Sequence, residues 1–238
     1  MSFENKNYLI AGAASAIGTH LLTSLAAERA NIYAISRKAG DNWPSGVKYI
    51  EADLTKNIDE LASFLPQQLH GLIYCAGSIN LKPFSRLSDD DFINDYQINT
   101  LGAIRITRQA LPLLKASGNA SVVYISSVAA KTGMPYHTSV SAAKGALEGF
   151  ALALAAETAG QHIRVNVVAP SLTNTPLAAN LLSTDEKKEA SAKRHPLGRY
   201  GQPQDISSAI EFLLSDNAGW ITGQVIAVDG GMGNIKTF

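Results

Sequence analysis

Two short stretches hold residues whose types and spacing suit chemistry on a phosphorylated ligand. Directly after an apolar run, YLIAG at 8–12, comes AGAASAIG, in which Gly12 and Gly18 flank a tight turn into a helix that the pattern starts near Ile17. A helix N-terminus has free N–H groups and the positive end of the helix dipole, and both suit a pyrophosphate. A second apolar run, NIYAIS at 31–36, ends in Ser36-Arg37-Lys38, and no acid occurs between Glu28 and Asp41. The guanidinium of Arg37 is a planar fork that matches a dianionic phosphate. The single cysteine, Cys75, closes another apolar run and reads as an inert core thiol.

Positioning these residues requires a regular frame, and the chain shows one. Apolar runs at 8–12, 31–36, 47–52, 71–76, 121–126, 163–169 and 224–228 alternate with stretches of helical period at about 17–29, 57–65, 88–116, 140–159 and 204–215. That alternation is the signature of repeated βαβ units and an α/β fold with a parallel sheet. Leu177 to Arg194 interrupts it: an apolar LAANLL turn precedes DEKKEASAKR, which is too polar on all sides for a core. This run reads as a solvated surface helix or a mobile lid beside a site.

Composition narrows the function. Of 238 residues 46% are hydrophobic and 17% charged, against roughly 25% charged in an average soluble domain, which excludes disorder. Twenty basic residues balance twenty acidic ones, so no basic field gathers a phosphate backbone, and nucleic acid is not an expected partner. One cysteine forms no internal disulfide, and the opening MSFENKNYLI has no secretory pattern. The richest apolar stretch, 150–156, is far shorter than the roughly 18 residues of a membrane span. A soluble, cytoplasmic, single-domain protein spanning 1–238 is expected, with no metal and no membrane contact.

Read in order, AGAASAIG, Ala76-Gly77, Asn99 in INTLG, Ser127 in YISSVAA, SAAKGALEGF with Lys144, VNVVAPSLTNT and ITGQVIAVDGG resemble the short-chain dehydrogenase/reductase family over nearly the whole chain. Ser127 precedes position 140 by thirteen residues and Lys144 follows it by four, the spacing of that family's serine, tyrosine and lysine. The resemblance implies a three-layer Rossmann fold whose seven-stranded parallel sheet runs 3-2-1-4-5-6-7, with a nicotinamide dinucleotide at the carboxyl ends of the strands. It implies that Gly12, Ser15, Ala16, Ile17 and Gly18 line the pyrophosphate, and that Asp53 and Leu54 face the adenine. Ala76 and Gly77 would pass beneath the ribose, and Pro170, Thr173 and Thr175 would hold the carboxamide side. Lys144 would bind the nicotinamide ribose, with Asn99, Ser127 and Lys144 as the catalytic set. In such a fold the residue ending the second strand touches the adenosine ribose, where a carboxylate selects NAD and a cation accepts the 2′-phosphate. Ser36 and Arg37 stand there, so NADP(H) is the expected cofactor.

The family's proton-transferring tyrosine is replaced by Val140. An isopropyl group neither gives nor takes a proton, and loss of a positioned general acid commonly removes about 10²–10⁴ in rate. Tyr136 and His137 precede Val140 by four and three residues. If helix geometry already begins there, either sits about one turn from the vacant place. Three smaller departures accompany this one: Ala16 for the middle glycine, Cys75 for an asparagine, and Ser171 for the glycine after Pro170. The expected function is an NADP(H)-dependent oxidoreductase of an alcohol or carbonyl, in which Ser127 polarises the oxygen and Tyr136, His137 or water supplies the proton. The alternatives are a nucleotide-binding sensor or non-catalytic subunit without turnover, and an isomerase or dehydratase that needs no phenol. A small-molecule substrate is expected, its pocket shaped by residues 171–197. The resemblance also implies a homotetramer or dimer built on the helices at 88–116 and 140–159 and on the last strand.

Overall fold

A computed structural model describes residues 3–236. Seven strands form one parallel sheet: β1 (Asn7–Ala11), β2 (Asn31–Ser36), β3 (Lys48–Glu51), β4 (Gly71–Tyr74), β5 (Ala120–Ile125), β6 (Ile163–Pro170) and β7 (Val225–Val228). Their order is β3-β2-β1-β4-β5-β6-β7, the order expected for a Rossmann fold. The chain leaves β1 toward β2 on one side and later returns to pair β4 on the other, with Leu9 beside Tyr33 and Leu72. This reversal opens a crevice at the carboxyl ends of β1 and β4, where open α/β sheets bind ligands.

Alternate residues of each strand point to opposite faces, and both faces are covered, which is why these strands read as unbroken apolar runs. On one face Leu9, Tyr74, Tyr124 and Val165 pack with Ile106, Ala110, Leu147 and Ala151 of helices α4 (Gly102–Ala116) and α5 (Thr138–Thr158). On the other, Tyr8, Ile10, Ile73 and Val123 pack with Leu21, Leu25, Ile206 and Ile210 of α1 (Ala16–Ala27) and α7 (Pro203–Leu214). No described helix is long and apolar enough to cross a membrane.

Three elements depart from the periodicity. The helix expected over 57–65 shrinks to one turn, α2 (Leu61–Phe64), and Leu65 is already extended. Pro66 follows, and a residue before proline is pushed out of the helical region. The long helix expected over 88–116 divides into α3 (Asp89–Tyr96) and α4, joined by a π-helical turn at Gln97–Leu101. The polar run after Leu182 forms α6 (Asp185–Lys193), capped by the Thr184 hydroxyl and exposed along nearly its whole length. It follows a 3₁₀ segment, Pro176–Leu182.

Candidate active site

The crevice holds a cavity of about 880 Å³ that runs from the first glycine turn to the C-terminal loop. Its floor is set by close backbone approach. Gly12 has a φ of +82°, and a Cβ there would lie 2.8 Å from the Ala76 Cα. Only glycine lets the turn after β1 rest against the end of β4 in this way. Ser15 caps α1 by accepting from the Gly18 N–H at 3.1 Å. The N–H groups of Ala16 and Ile17 open the helix, with no carbonyl four residues back, and both residues line the cavity. Gly18 lies behind the wall. A Cβ there would meet the Gly12 oxygen at 2.7 Å and the Ala13 oxygen at 2.9 Å. Its lack of a side chain is thus what lets the helix pack closely on the turn after β1.

At the outer end, Ser36, Arg37, Asp53 and Leu54 share the wall. The Ser36 hydroxyl donates to the Lys38 carbonyl at 2.6 Å, which tightens the turn carrying Arg37. Among the described residues neither Arg37 nor Lys38 forms an ion pair. The Asp53 carboxylate accepts from the Thr55 N–H at 2.9 Å and the Thr55 hydroxyl at 2.8 Å. These bonds, aided by Lys56 and Arg37 nearby, hold its pKa below the usual carboxylate range. Asp53 therefore shapes its own loop as well as facing the cavity.

At the inner end stand Ser127, Val140, Lys144, Asn99, Ala76 and Gly77. Ser127 opens a 3₁₀ turn, and its Oγ accepts from the Ala129 N–H at 3.2 Å, so its hydrogen is left to donate. Lys144 is buried and among the described residues gives one hydrogen bond, 2.7 Å to the Ile125 carbonyl. Burial pushes its pKa down to about 8, against a smaller opposing pull from Cys75 and Asp95. Burial pushes the Cys75 thiol up to about 12, which makes it unreactive near neutrality. A Cβ on Gly77 would lie 3.0 Å from Asn99 Oδ1 and 3.5 Å from Lys144 Nζ, so these three meet at one point. Val140 is 3% exposed and fills the place between Ser127 and Lys144 in the motif with a dry apolar group.

Asn99 sits on the π turn, an irregularity frequent at functional sites. Its amide donates to Ser78 Oγ and to the Asp95 carbonyl, both at 2.9 Å, and its Oδ1 accepts from the Ser78 N–H at 3.2 Å. The buried Asp95 carboxylate accepts from Ser78 Oγ and Ser139 Oγ, each at 2.6 Å. Sequence reading missed this Ser78–Asp95–Ser139 network, which ties the loop after β4 to α3 and α5. Asp95 lies four residues before Asn99, a helical spacing that was the one available signal.

The remaining wall comes from Pro170, Ser171, Thr173, Thr175 and residues 176–178, with Leu181, Arg194, His195 and Met232. Thr173 bridges to Gly201 and its hydroxyl donates to the Ser171 carbonyl. Of the two substitute donors expected before Val140, only His137 reaches the cavity. Tyr136 has a φ of +69° and is 57% exposed. Helix α5 begins after His137, so Tyr136 lies outside the helical turn that would have aimed it inward. A contact no motif foretold joins Ser171 Oγ to His195 Nε2 at 2.9 Å.

The donor set fits a nicotinamide dinucleotide. Helix N–H groups lie on one wall, a cation without an ion pair among the described residues is at the far end, and a lysine beside a glycine that leaves room for a ribose is at the near end. The chain is similar throughout to known oxidoreductases. A family model described as enoyl-(acyl carrier protein) reductase matches residues 10–233. The 3-oxoacyl-acyl-carrier-protein reductase FabG of Thermotoga maritima is 32% identical over 246 residues, covering 98% of this chain and 99% of its own. A tropinone reductase homologue of Arabidopsis thaliana is 34% identical over 245 residues, covering 97% and 93%. A short-chain type dehydrogenase/reductase from Mycobacterium ulcerans superposes with a TM-score of 0.89 at 30% identity, covering 98% of this chain and 91% of its own. Agreement of this extent, end to end in both sequence and strand order, means that the chain belongs to the short-chain dehydrogenase/reductase family.

Proposed function

We propose that the chain is an NADP(H)-dependent oxidoreductase that interconverts an alcohol and a carbonyl in a small molecule. One observation carries the cofactor: Arg37, the cavity-lining cation at the end of β2, forms no ion pair among the described residues and has no carboxylate beside it on that strand. A 2′-phosphate supplies what that guanidinium lacks. The bound nicotinamide supplies hydride chemistry at the inner end. There Ser127 donates its free hydrogen to the substrate oxygen and polarises the carbonyl. Lys144 holds the ribose hydroxyls, and Ala16 and Ile17 hold the pyrophosphate. Leu177, Ala178 and Leu181, with segment 171–197 acting as a lid, cover an apolar part of the substrate. The single unit 1–238 works in the cytoplasm as a dimer or tetramer.

The test is a fluorescence titration with NADPH and, separately, NADH, on wild type and on Arg37→Ala. Micromolar NADPH binding, tighter than NADH binding and weakened about tenfold or more by the substitution, is the expected result. Equal affinity for both nucleotides, unchanged by the substitution, refutes the NADP(H) assignment.

Val140 favours a second reading, a nucleotide sensor or non-catalytic subunit without turnover, because no phenol faces Ser127. A panel of aldehydes and ketones offered to wild type and to Val140→Tyr separates the two. Nucleotide oxidation by the substituted protein alone favours the sensor.

A further inference from the structure

We propose that Ser171 and His195 form the proton relay of this cavity and serve the substrate oxygen in place of the absent phenol. The inference rests on the oxidoreductase reading and names the residues that complete it.

Hydrogen-bond logic assigns the pair a direction. His195 Nδ1 lies 2.7 Å from the Ser191 carbonyl oxygen. A carbonyl only accepts, so Nδ1 carries the hydrogen and, in the neutral ring, Nε2 is bare. Ser171 Oγ, 2.9 Å from Nε2, must then donate to it. The lone pairs of Oγ are left for a hydroxyl in the cavity, which both residues line. His195 is 3% exposed. The C-terminal loop backs it: Leu197 N–H donates to the Gly230 carbonyl, and a Cβ on Gly230 would lie 3.7 Å from His195 Cβ. A buried imidazole, fixed in tautomer by one carbonyl and aimed at one hydroxyl, is the arrangement of a general base and the group it activates.

The pair also lies on the right part of the sheet. Strands β5 and β6 pair Ile125 with Val168, and the Ser126 N–H still donates to the Val168 carbonyl. Continuing that register by two residues sets Ser127 beside Pro170, the last residue of β6, and Ser171 follows directly as the chain leaves the strand; both serines line the cavity. Other groups on the wall are committed elsewhere. Lys144 Nζ is on the Ile125 carbonyl and Asp53 is on Thr55. His137 is half-buried at the rim with Nδ1 on the Pro135 carbonyl, and among the described residues its Nε2 meets no hydroxyl, whereas that of His195 meets Ser171 Oγ.

In alcohol oxidation the substrate O–H bond breaks and its proton passes to Ser171 Oγ as the Oγ proton passes to His195 Nε2. The carbinol C–H bond breaks with its electron pair, which leaves as hydride to the oxidised nicotinamide dinucleotide, and the C=O bond forms. The imidazolium releases its proton to solvent. Carbonyl reduction runs the same steps backward, with the reduced dinucleotide as hydride donor.

The experiment compares wild type with Ser171→Ala, His195→Gln and His137→Gln. It measures kcat and KM on the alcohol and carbonyl panel, NADPH affinity by fluorescence, and the ring tautomer of His195 by ¹⁵N NMR. Ser171→Ala removes one partly buried hydroxyl and tests the relay even where His195→Gln does not fold. Expected are a fall in kcat of about 10²-fold or more, NADPH affinity within about twofold of wild type, and a neutral His195 protonated on Nδ1. In a Val140→Tyr background the phenol takes the proton, so the same Ser171→Ala change costs less than about threefold. Turnover that survives Ser171→Ala overturns the relay alone. So does a loss at His137→Gln in its stead, or an Nε2-protonated ring. Tight NADPH binding with no turnover on any substrate in wild type overturns the oxidoreductase reading together with the relay.

Discussion

Lys144 shows at the residue scale what the site costs the fold. Its ammonium is buried with a single carbonyl partner, and its pKa is about 8 in the folded chain against an ordinary 10.5. Below pH 8 the folded state bears the full penalty of a desolvated cation. Between about pH 8 and 10.5 the unfolded chain holds more protons than the folded one, so stability rises with pH across that window and levels off above it. Lys144→Met lacks the rise. At pH 7 it is expected to be more stable than wild type, by at most on the order of 3 kcal/mol, and to bind NADPH at least tenfold more weakly. Thermal melts at pH 7 and 10 and a nucleotide titration check both arms. The same residue carries a lesson about legibility. The spacing of Ser127, position 140 and Lys144 was readable in the sequence, and so was the loss of the phenol at Val140. Which group stands in for it was not: Tyr136 and His137 were near in sequence, but the left-handed φ of Tyr136 turns it to solvent.

At the scale of elements, two backbone features shape the crevice. The turn after β1 requires Gly12, with its φ of +82° and no room for a Cβ against Ala76. Gly12→Ala combines a forbidden conformation with a backbone clash, and it is expected to abolish nucleotide binding and to destabilise by about 2 kcal/mol or more. Urea unfolding and the NADPH titration read these two effects. The π turn at Gln97–Leu101 carries Asn99 into contact with Ser78 and Asp95. Asn99→Ala removes the side-chain partner of the Ser78 N–H and of the Asp95 carbonyl at a fully buried position. A loss of roughly 2–4 kcal/mol in chemical denaturation is expected, with reduced protection of the α3–α4 junction in hydrogen exchange. Periodicity predicted one helix over 88–116 because a π turn inserts one extra residue without removing the apolar face on either side of it.

For the whole molecule, the proposed oligomer rests on apolar groups that the sheet and helices leave uncovered. On α5, Leu147 and Leu154 are buried in the core, whereas Leu152 is exposed, as is Trp220 before β7. A Cβ on Gly223 would come within 3.5 Å of Leu152 Cδ1, so the helix and the loop leading into β7 contribute to one face. Sedimentation velocity is expected to give a dimer or tetramer for wild type and a smaller species for Leu152→Glu with Trp220→Glu. A wild-type monomer at micromolar concentration refutes the assembly.

By itself the sequence determined the α/β class and the succession of strands, because a parallel sheet buried on both faces needs unbroken apolar runs separated by amphipathic helices. It also determined the glycine turn, the basic end of β2 and the vacancy at Val140, since each is a matter of residue identity at a local spacing. Only the tertiary structure decided which side chains meet. Ser171 and His195 are separated by a 3₁₀ segment and an exposed helix, and they touch because the chain returns over the end of β6. Ser78, Asp95 and Ser139 converge from a loop and two helices. Local spacing specifies direction along an element, whereas a side chain's partner depends on how elements pack, and that is settled by the burial of surfaces far apart in the chain.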